Sequence, residues 1–449
     1  MKILLVTSSA RGHAIADALS RSPQKPEIIS ICANRNPGIQ KLAVKMFVQN
    51  IMDFPKILDI AKKEKPDFAF IGPDDPIGAG LADELEKVGV PSVAPKKALA
   101  QIETSKGFTR NLLKKYGIEA SSKFQFFTVQ SNSGSALTEA KKNIRSYMEK
   151  DLGGEFVVKY DALKGGKGVK VMGEHLDSIE QGVQYAVECL EECGRVVIEE
   201  KLIGVEFSLL SFVSDTQVID MPAVQDHKRA YEGDGGPNTG GMGTYTDANH
   251  ALPFLKPKDL ARAKEINRLT AAALLKECGE PYRGILYGGF MAVKDGIRVI
   301  EYNARFGDPE ALNILPLLSS DFVAICQGII DGNLAEDLVS FEKKATVCKY
   351  ITPQGYPETK DQKGKEVRFP DMPKNARLYY GDVSEENGKI LLGGSRSAGI
   401  VGIGKTIVEA EKIAETLCEQ VQGPVRFRRD IGTKELIEQR MATMKKIRS

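Results

Sequence analysis

The first hundred residues alternate between short apolar runs and longer amphipathic stretches. Residues 2–7 form an apolar run, which is typical of a strand buried on both faces. Similar runs at 27–32 and 67–72 are separated by helical stretches, one from about Arg11 and one near 78–88. This alternation predicts a parallel, doubly wound sheet, in which ligands bind at the carboxyl ends of the strands. The loops at 7–12 and 72–76 are therefore candidate sites.

Beyond residue 103 the predicted strands become more closely spaced. Three strands between 195 and 224 follow one another directly and predict an antiparallel sheet. The last hundred residues predict a small α+β unit. The other predicted elements are helices at 105–116, 136–149, 177–192, 257–277 and 407–421, and strands at 123–129, 155–161, 169–172, 283–294, 297–303, 345–352, 376–382 and 398–405.

Length and composition narrow the class of protein. A chain of 449 residues is too long for one core, so we expect three or four compact units. Its 62 Lys and Arg residues nearly balance 60 Asp and Glu residues, which gives no indication of a nucleic-acid partner. Seven scattered cysteines without a C-x-x-C pair favour a reducing compartment. No apolar stretch suits a membrane span or a secretion signal, so we expect a soluble, cytoplasmic protein.

Residues 399–406 match the phosphate-loop pattern G-x-x-x-x-G-K-[ST]. In a phosphate loop a buried strand precedes the glycine-rich turn. Here the residues inside the motif, at 400–403, are themselves typical of a strand. We therefore predict a strand followed by a helix cap at Thr406, and a nucleotide site elsewhere in the chain.

A better candidate phosphate site is the segment VVKYDALKGGKGVKV at 157–171. Lys159 ends a strand, and Gly165, Gly166, Lys167 and Gly168 precede the next one. Such a hairpin can present backbone N–H groups and ammonium groups to a triphosphate. A plain surface hairpin with lysines is the alternative.

Glu199 and Glu206 lie on either side of a predicted turn. Glu199 is placed to accept a hydrogen bond from an adenine amino group and Glu206 to accept from ribose hydroxyls, with the backbone around Leu202 as a hinge. A charged sheet edge is the alternative.

The segment 299–311, VIEYNARFGDPEA, is the most informative carboxylate site. Glu301, Asn303 and Arg305 alternate along a strand end, so we expect their side chains on one face. A carboxylate and an amide oxygen suit Mg²⁺, which takes few protein ligands, and an adjacent guanidinium suits a phosphoryl group. Alternation on a solvated face is the alternative.

Six glycines lie in the segment 225–245, which predicts a loop that approaches a ligand closely or moves as a lid. Lys228 and Arg229 bring positive charge to this loop. His227 is either a general base or a hydrogen-bonded structural imidazole. A flexible linker is the alternative for the whole segment.

At this loop the sequence resembles a known family. QDHKRAYEGDGGPNTGGMG, residues 225–243, closely resembles the signature of the phosphoribosylamine–glycine ligases (glycinamide ribonucleotide synthetases), which are ATP-grasp enzymes of purine biosynthesis. The resemblance extends over nearly the whole chain. The further motifs, in order, are NPGI at 36–39, GPDDP at 72–76, ETSKGFTR at 103–110, LKGGKGV at 163–169, VIEEKLIGVEFS at 197–208, IEYNARFGDPE at 300–310 and RRDIGT at 428–433.

The resemblance implies a fold and an activity. The implied fold has a Rossmann-like N-terminal domain at 1–102, an ATP-grasp domain at 103–325 with two antiparallel-sheet subdomains, the smaller a lid at about 124–194, and a C-terminal α+β domain at 326–449. The implied reaction joins glycine to 5-phosphoribosylamine through a glycyl phosphate, with ATP cleaved to ADP and phosphate and with Mg²⁺ or Mn²⁺ as the metal. The expected partners are these small molecules, without nucleic acid or membrane, and the expected state is a monomer, with a dimer as the alternative.

The resemblance also implies roles for individual residues. Lys228, Arg305 and Lys159 are expected to face the transferring phosphoryl group, and Glu301 and Asn303 to hold the metal. The residues expected around ATP are Lys106, Lys159, Gly165, Gly166, Lys167, Gly168, Glu199, Glu200, Leu202 and Glu206. The residues expected to bind the other substrates are Arg11, Gly38, Asp74, Asp226, Lys228, Asn238, Thr239, Gly240, Gly241, Asp308 and Pro309.

Some positions depart from the family's pattern. The usual G-x-G-x-R-E-H-A loop is TSSARGHA here, with Thr7 and Ser9 in place of glycines and Gly12 in place of glutamate. Asp74 replaces a usual glutamate, and Gly289 stands where many ATP-grasp enzymes carry a second metal carboxylate. An ATP-grasp ligase for a different amine and a nucleotide-binding regulatory protein without catalysis are the alternatives. A dinucleotide dehydrogenase is disfavoured because no G-x-G-x-x-G follows the first strand.

Overall fold

The computed structural model of the chain describes residues 1–129, 134–162 and 168–449. It combines a parallel sheet near the N-terminus with several antiparallel sheets and a helix at the C-terminal end. This mixed α/β, multidomain architecture confirms the predicted fold class. Within the described residues, no helix has both the length and the apolar character needed to cross a lipid bilayer.

The N-terminal unit is a parallel sheet whose central strand is buried in all but its first residue. Its elements are β1 (Lys2–Thr7), α1 (Ser9–Ser20), β2 (Glu27–Cys32), α2 (Pro37–Leu42), β3 (Lys45–Val48), α3 (Phe54–Glu64), β4 (Phe68–Ile71), α4 (Asp74–Ala79), α5 (Leu81–Lys87), β5 (Ser92–Val93) and α6 (Lys97–Thr104). The strand order β3-β2-β1-β4-β5 confirms the predicted parallel sheet. The sequence did not predict β3 and β5, which are short, and the predicted helix at 78–88 is two helices that meet at Gly80, where φ is 95°.

The chain then forms a small antiparallel sheet with two helices packed on it. Its elements are α7 (Lys106–Lys115), β6 (Phe124–Thr128), α8 (Gly134–Ser146) with a π-helical turn (Tyr147–Asp151), β7 (Phe156–Tyr160), β8 (Val169–Val171), α9 (Ile179–Cys193) and β9 (Arg195–Glu200). The sheet has the order β6-β9-β7-β8. We call this sheet with α8 and α9 the lid.

A second antiparallel sheet follows, with the order β11-β10-β16-β17. The elements of this part of the chain are β10 (Val205–Ser214), β11 (Gln217–Asp220), β12 (Gln225–Asp226), β13 (Arg229–Tyr231), β14 (Gly235–Asn238), β15 (Gly243–Thr246), α10 (Pro257–Cys278), β16 (Arg283–Val293), β17 (Gly296–Asn303), α11 (Glu310–Ile314) and α12 (Phe322–Asp331). The prediction that the strands between 195 and 224 form one sheet is wrong. β9 pairs with β6 and β7 in the lid, whereas β10 pairs along its whole length with β16, eighty residues later in the chain.

The C-terminal unit contains two further sheets. Its elements are β18 (Ala345–Pro353), β19 (Glu366–Val367), β20 (Ala376–Tyr380), β21 (Val383–Glu386), β22 (Lys389–Leu392), β23 (Ala398–Gly404), α13 (Ile407–Glu419), β24 (Val425–Arg426) and α14 (Lys434–Arg448). The larger sheet has the order β12-β15-β18-β23-β20, with β24 on β18, and the smaller has the order β19-β22-β21. Short 3₁₀ turns lie at Glu232–Asp234, Leu315–Leu317 and Glu336–Leu338.

The first and last strands of the glycine-rich segment at 225–246, β12 and β15, belong to the larger C-terminal sheet. β12 and β15 lie before the domain boundary expected at 325/326, yet β15 pairs in register with β18. Between them, β13 and β14 form a hairpin, so the segment is more ordered than the predicted loop at 230–243. The C-terminal unit therefore contributes directly to the position of this segment.

The phosphate-loop motif at 399–406 is a strand followed by a helix cap, as predicted. β23 covers its first six residues, and the Thr406 side chain accepts a hydrogen bond of 3.2 Å from the Glu409 N–H at the start of α13. A Cβ on Gly402 would lie 2.0 Å from the Ala410 carbonyl oxygen. The glycine thus permits close packing of strand against helix, which explains the motif without a phosphate.

Candidate functional site

A cleft lies between the sheet that contains β10, β16 and β17 and the glycine-rich segment. Its lining includes three carboxylates and one ammonium group, from Glu206, Asp226, Glu301 and Lys228. The Lys228 ammonium lies 3.8 Å from a carboxylate oxygen of Glu206 and 3.8 Å from one of Glu301. The structure therefore brings together residues that are separated by up to 95 positions in the sequence.

The charges in this cleft depend on one another. Burial favours the neutral form of Lys228, but the carboxylates of Glu206, Glu301 and Asp226 outweigh it and raise the Lys228 pKa. Burial alone would raise the pKa of Glu301, and the positive charges of Lys228 and Lys106 lower it instead. Lys228 is thus a permanent cation and Glu301 a permanent anion near neutral pH.

Glu301 and Asn303 are the residues predicted to hold a metal ion. Both belong to β17, and Gly289 on β16 lies directly opposite Glu301. A Cβ on Gly289 would be 3.3 Å from the Glu301 Cγ, so position 289 is indeed a neighbour of this carboxylate. Among the described residues, no group of three or more His, Cys, Asp or Glu side chains is arranged to bind a metal. A hard cation with few protein ligands, such as Mg²⁺, fits a carboxylate and an amide whose remaining ligands come from phosphate oxygens.

Lys159 and Glu199 connect the lid to this cleft. The Lys159 ammonium donates to the Ile300 carbonyl oxygen at 3.0 Å and lies 2.8 Å from Glu199 Oε2. Arg110, from α7, donates Nε and Nη2 to the two Glu199 carboxylate oxygens, both at 2.7 Å. Burial would raise the Glu199 pKa, but Arg110 and Lys159 lower it to about 2. The Glu199 carboxylate also accepts a hydrogen bond from Ser122 at 2.9 Å, and its expected contact with adenine stays a prediction.

The remaining residues predicted around ATP lie near this lid contact where the structure describes them. Lys106 begins α7 and donates to the Ala162 carbonyl oxygen at 3.4 Å. The Glu200 carboxylate accepts from the Lys123 N–H at 2.7 Å, and Leu202 lies between β9 and β10. Gly168 precedes β8. Gly165, Gly166 and Lys167 fall outside the described residues.

A second group of charges lies at the carboxyl ends of the N-terminal strands. The Arg305 guanidinium lies 2.9 Å from a Glu103 carboxylate oxygen. Burial would raise the pKa of Asp74, but Arg305 and Arg11 lower it below its ordinary value. Arg305 lies beyond the end of β17, so it does not continue the alternation of Glu301 and Asn303 and faces the N-terminal unit instead.

Asp308 joins the N-terminal loop to the rest of the site. Ser9 Oγ and the Arg11 N–H donate to its Oδ2 at 2.7 and 3.3 Å. Arg11 Nη1 also donates to the Phe306 carbonyl oxygen at 2.8 Å. Tyr350, from β18, donates to Asp308 Oδ1 at 2.5 Å. The first turn of α1, which lies in the predicted loop at 7–12, is therefore attached to the segment 306–308 by several hydrogen bonds.

The glycine-rich segment is held by hydrogen bonds of its own. Thr239 Oγ1 donates to the Lys228 carbonyl oxygen at 2.8 Å and accepts from the Gly241 N–H at 3.0 Å. Asn238 contacts His175 of the lid at 3.4 Å between side-chain nitrogens. His227 is buried, its Nδ1 contacts the Gly243 carbonyl oxygen, and burial with Arg428 nearby lowers its pKa to about 3. The structural interpretation of His227 is therefore favoured over a general base.

The departures at positions 7 and 12 compensate each other. A Cβ on Gly12 would lie only 1.8 Å from Thr7 Oγ1. The Thr7 side chain therefore fills the space that a side chain at position 12 would need. In the same way, a Cβ on Gly38 would lie 1.9 Å from the His13 ring, which accepts from the Tyr380 N–H at 2.9 Å. Gly38 is thus needed for the position of His13.

We expect Gly12→Ala to lower the free energy of unfolding by about 1–3 kcal/mol, because an added methyl group must displace the Thr7 side chain. Combining it with Thr7→Gly should recover most of this loss. Urea unfolding of the two single variants and the double variant forms a double-mutant cycle. A coupling energy of zero would contradict the pairing of these positions.

Several residues of the site were not predicted as functional. Arg110 and Glu103 lie in the quoted motif ETSKGFTR, but only Lys106 was chosen from it. Tyr350 and Arg396 belong to the C-terminal unit, for which no functional residue was predicted. Their contacts depend on chain segments far apart in the sequence, so no local pattern identifies them.

Comparison with known proteins identifies the family. Models of the phosphoribosylglycinamide synthetase N domain, ATP-grasp (A) domain and C domain match residues 1–103, 104–311 and 346–434. The chain belongs to the phosphoribosylglycinamide synthetase family. Phosphoribosylamine–glycine ligases of this family from Methanococcus vannielii and Methanosarcina barkeri are 48% and 46% identical to it, and each alignment covers 100% of both chains. The predicted family is thus confirmed, and the chain is an ADP-forming ligase of purine biosynthesis.

Solved structures agree with this family. The crystal structure of phosphoribosylamine–glycine ligase from Thermotoga maritima has a TM-score of 0.77 and 28% identity, covering 96% of this chain and 100% of that chain. The biotin carboxylase domain of the Hydrogenobacter thermophilus 2-oxoglutarate carboxylase has a TM-score of 0.71 at 14% identity, covering 99% of this chain and 93% of that chain. The second similarity concerns the fold alone.

Proposed function

We propose that the chain joins glycine to 5-phosphoribosylamine through a glycyl phosphate, producing glycinamide ribonucleotide, ADP and phosphate. The main support is the cleft around Lys228, where its ammonium group lies 3.8 Å from the carboxylates of Glu206 on β10 and Glu301 on β17. The relatives named phosphoribosylamine–glycine ligase over the full chain length support the choice of substrates.

The chemistry requires activation of a carboxylate. The carboxylate of glycine is a poor electrophile, and its phosphorylation creates a leaving group that an amine can displace. Lys228 and Arg305, whose pKa values neighbouring carboxylates raise, carry positive charge for the phosphoryl group in transfer, and Lys159 is the third ammonium or guanidinium group assigned to it. A Mg²⁺ or Mn²⁺ ion held by Glu301 and Asn303 would neutralise charge on the phosphates of ATP. No general base is required, because the attacking amine of phosphoribosylamine arrives neutral.

The remaining residues support binding and protection from water. We assign Lys106, Glu200, Leu202 and Glu206 to the ATP side, because they lie on α7, β9 and β10 and in the connection between β9 and β10, around the lid contact. The substrate side is assigned to residues around the glycine-rich segment and the N-terminal strand ends. Closure of the lid over the glycine-rich segment would keep water from the acyl phosphate. The substrate-side residues are Arg11, Gly38, Asp74, Asp226, Asn238, Thr239, Gly240, Gly241, Asp308 and Pro309.

The organisation of the protein follows from the same proposal. We propose domains at 1–102, 103–325 and 326–449, with the smaller subdomain at about 124–194. In the structure β9 (Arg195–Glu200) extends the lid sheet beyond that boundary. All seven cysteines lie in the described part of the chain and none of them is in a disulfide, which supports a cytoplasmic enzyme. We also propose a monomer that acts on these small molecules, with a dimer as the alternative.

An ATP-grasp ligase for a different amine is the second candidate, favoured by Thr7, Gly12 and Asp74 at the substrate side. The test is a coupled assay of ADP formation in which ATP, metal, glycine and phosphoribosylamine are omitted in turn. We expect ADP release only when all four are present. Equal or faster ADP release with another amine would favour the second candidate, and tight ATP binding without any turnover would favour a regulatory protein.

A further inference from the structure

Arg396 lies in the turn before β23 of the C-terminal unit. Its side chain extends out of that unit and contacts the glycine-rich segment and Asp308. Its Nη1 donates to the carbonyl oxygens of Gly240 at 2.8 Å, Gly241 at 2.9 Å and Asp308 at 3.1 Å. The same nitrogen lies 3.3 Å from the Asp308 carboxylate, and the side chain is only 15% exposed. One guanidinium therefore joins two separate segments of the substrate side.

The shape of the surroundings matches a guanidinium group. The Arg396 Cζ lies 4.5 Å from the centre of the Tyr350 ring, which is the stacking that a planar cation makes with an aromatic face. A Cβ on Gly240 would lie 2.8 Å from Arg396 Nη2. Gly240 thus allows the loop to approach the guanidinium, and the Tyr350 ring lies against the same group.

The contacts of Arg396 continue into the N-terminal unit. The Asp308 carboxylate forms an ion pair with Arg396. It also accepts hydrogen bonds from the Tyr350 hydroxyl, Ser9 Oγ and the Arg11 N–H. Arg396 therefore acts at a junction of three parts of the chain. Among the contacts of the described residues, none joins Arg396 to the lid residues Lys159 and Glu199.

We propose that Arg396 is a positioning residue for the phosphoribosylamine side of the reaction, and this inference rests on the proposed function. It holds the Gly240–Gly241 carbonyls against the Asp308–Pro309 turn, so that the glycine-rich segment and the N-terminal loop form one binding surface. A lysine ammonium at this position would not make the same contacts, because it is a point charge on a flexible side chain and not a planar group.

The test compares Arg396→Ala and Arg396→Lys with Arg377→Ala as the matched control. Arg377 belongs to β20, the neighbour of β23, and within the described residues its side chain donates only to the Lys374 and Ala376 carbonyl oxygens of its own unit. For Arg396→Ala we expect the KM for phosphoribosylamine to rise about tenfold to a hundredfold, as charge-assisted hydrogen bonds are lost. The KM for ATP should stay within about twofold, because a positioning effect is confined to the amine side. Arg396→Lys should recover only part of the loss, and Arg377→Ala should match the wild type.

Hydrogen–deuterium exchange of the peptide covering 235–245 provides a readout independent of turnover. We expect faster exchange in Arg396→Ala than in the wild type, and no change in Arg377→Ala. An unchanged KM for phosphoribosylamine, an equal rise in the KM for ATP, or full recovery by Arg396→Lys would each overturn the inference. If the wild type does not use phosphoribosylamine, the proposed function fails, while the exchange comparison still tests the contact itself.

Discussion

Replacement of Glu301 by glutamine is expected to lower the rate of ADP formation by about a thousandfold. The substitution keeps the shape of the side chain and removes its charge, which lies 3.8 Å from Lys228 and two residues before Asn303 on β17. A metal ion contributes several kcal/mol to the stabilisation of transition-state charge, and each 1.36 kcal/mol corresponds to about tenfold in rate. The measurement is the coupled ADP assay at saturating glycine, phosphoribosylamine and ATP.

Asp295→Asn is the matched control for this experiment. Asp295 lies in the turn between β16 and β17, its side chain is 70% exposed, and Arg298 is its ion-pair partner. We expect full activity in this variant and native circular dichroism spectra in both. If Glu301→Gln retained more than about a tenth of the wild-type rate, a loss smaller than removal of a metal ligand requires, the assignment of the metal to Glu301 would be wrong.

Replacement of Arg110 by methionine is expected to cost about 3–5 kcal/mol in the free energy of unfolding, because it leaves the buried Glu199 carboxylate with too few partners. The Arg110 side chain is 2% exposed. Its Nη1 and Nη2 also donate to the Val299 and Ile300 carbonyl oxygens, both at 2.9 Å. The variant therefore loosens the contact among α7, the lid and β17, and with it the position of Lys159. Urea unfolding measures the loss.

The same pair predicts a dependence on pH. Because the Glu199 pKa in the folded protein is about 2, below its ordinary value of 4.5, this carboxylate stabilises the fold above about pH 4.5. The contribution should disappear as the pH falls towards 2, and Arg110→Met should show a smaller loss over that range than the wild type.

Arg298→Met is the control for the buried pair. Arg298 is paired with Asp295 at the surface at 2.7 Å, and such exposed pairs contribute at most about 1 kcal/mol. If Arg110→Met cost no more than Arg298→Met, Arg110 would not be the link between α7 and the lid that its hydrogen bonds indicate.

Local patterns were sufficient where burial is continuous along the chain. Residues 3–6 of β1 are completely buried, and their apolar run predicted a central parallel strand. The motif at 399–406 was predicted to be a strand because its inner residues are apolar. In the structure these residues pair with β18 and pack against α13. The motifs around residues 225–243 and 300–310 were sufficient to identify the family before any contact was known.

Local patterns failed where the partner of a strand lies far away in the sequence. The strands between 195 and 224 have similar composition, yet they belong to two sheets because β9 pairs with β6 and β7 and β10 pairs with β16. Likewise, β12 and β15 look like parts of a loop, and only their pairing in the C-terminal sheet gives them order. The apolar pattern of a strand shows that the strand is buried, but it does not show which segment the strand pairs with.

The sequence by itself determined the class of fold and the family, because these depend on short motifs and on local periodicity. Only the tertiary structure decided that Glu199 is held by Arg110 and Lys159, that Thr7 occupies the space left by Gly12, and that Arg396 reaches the glycine-rich segment. These contacts join residues that are close in space through sheet pairing and packing between units, and no local pattern in the chain encodes which distant side chain completes a hydrogen bond.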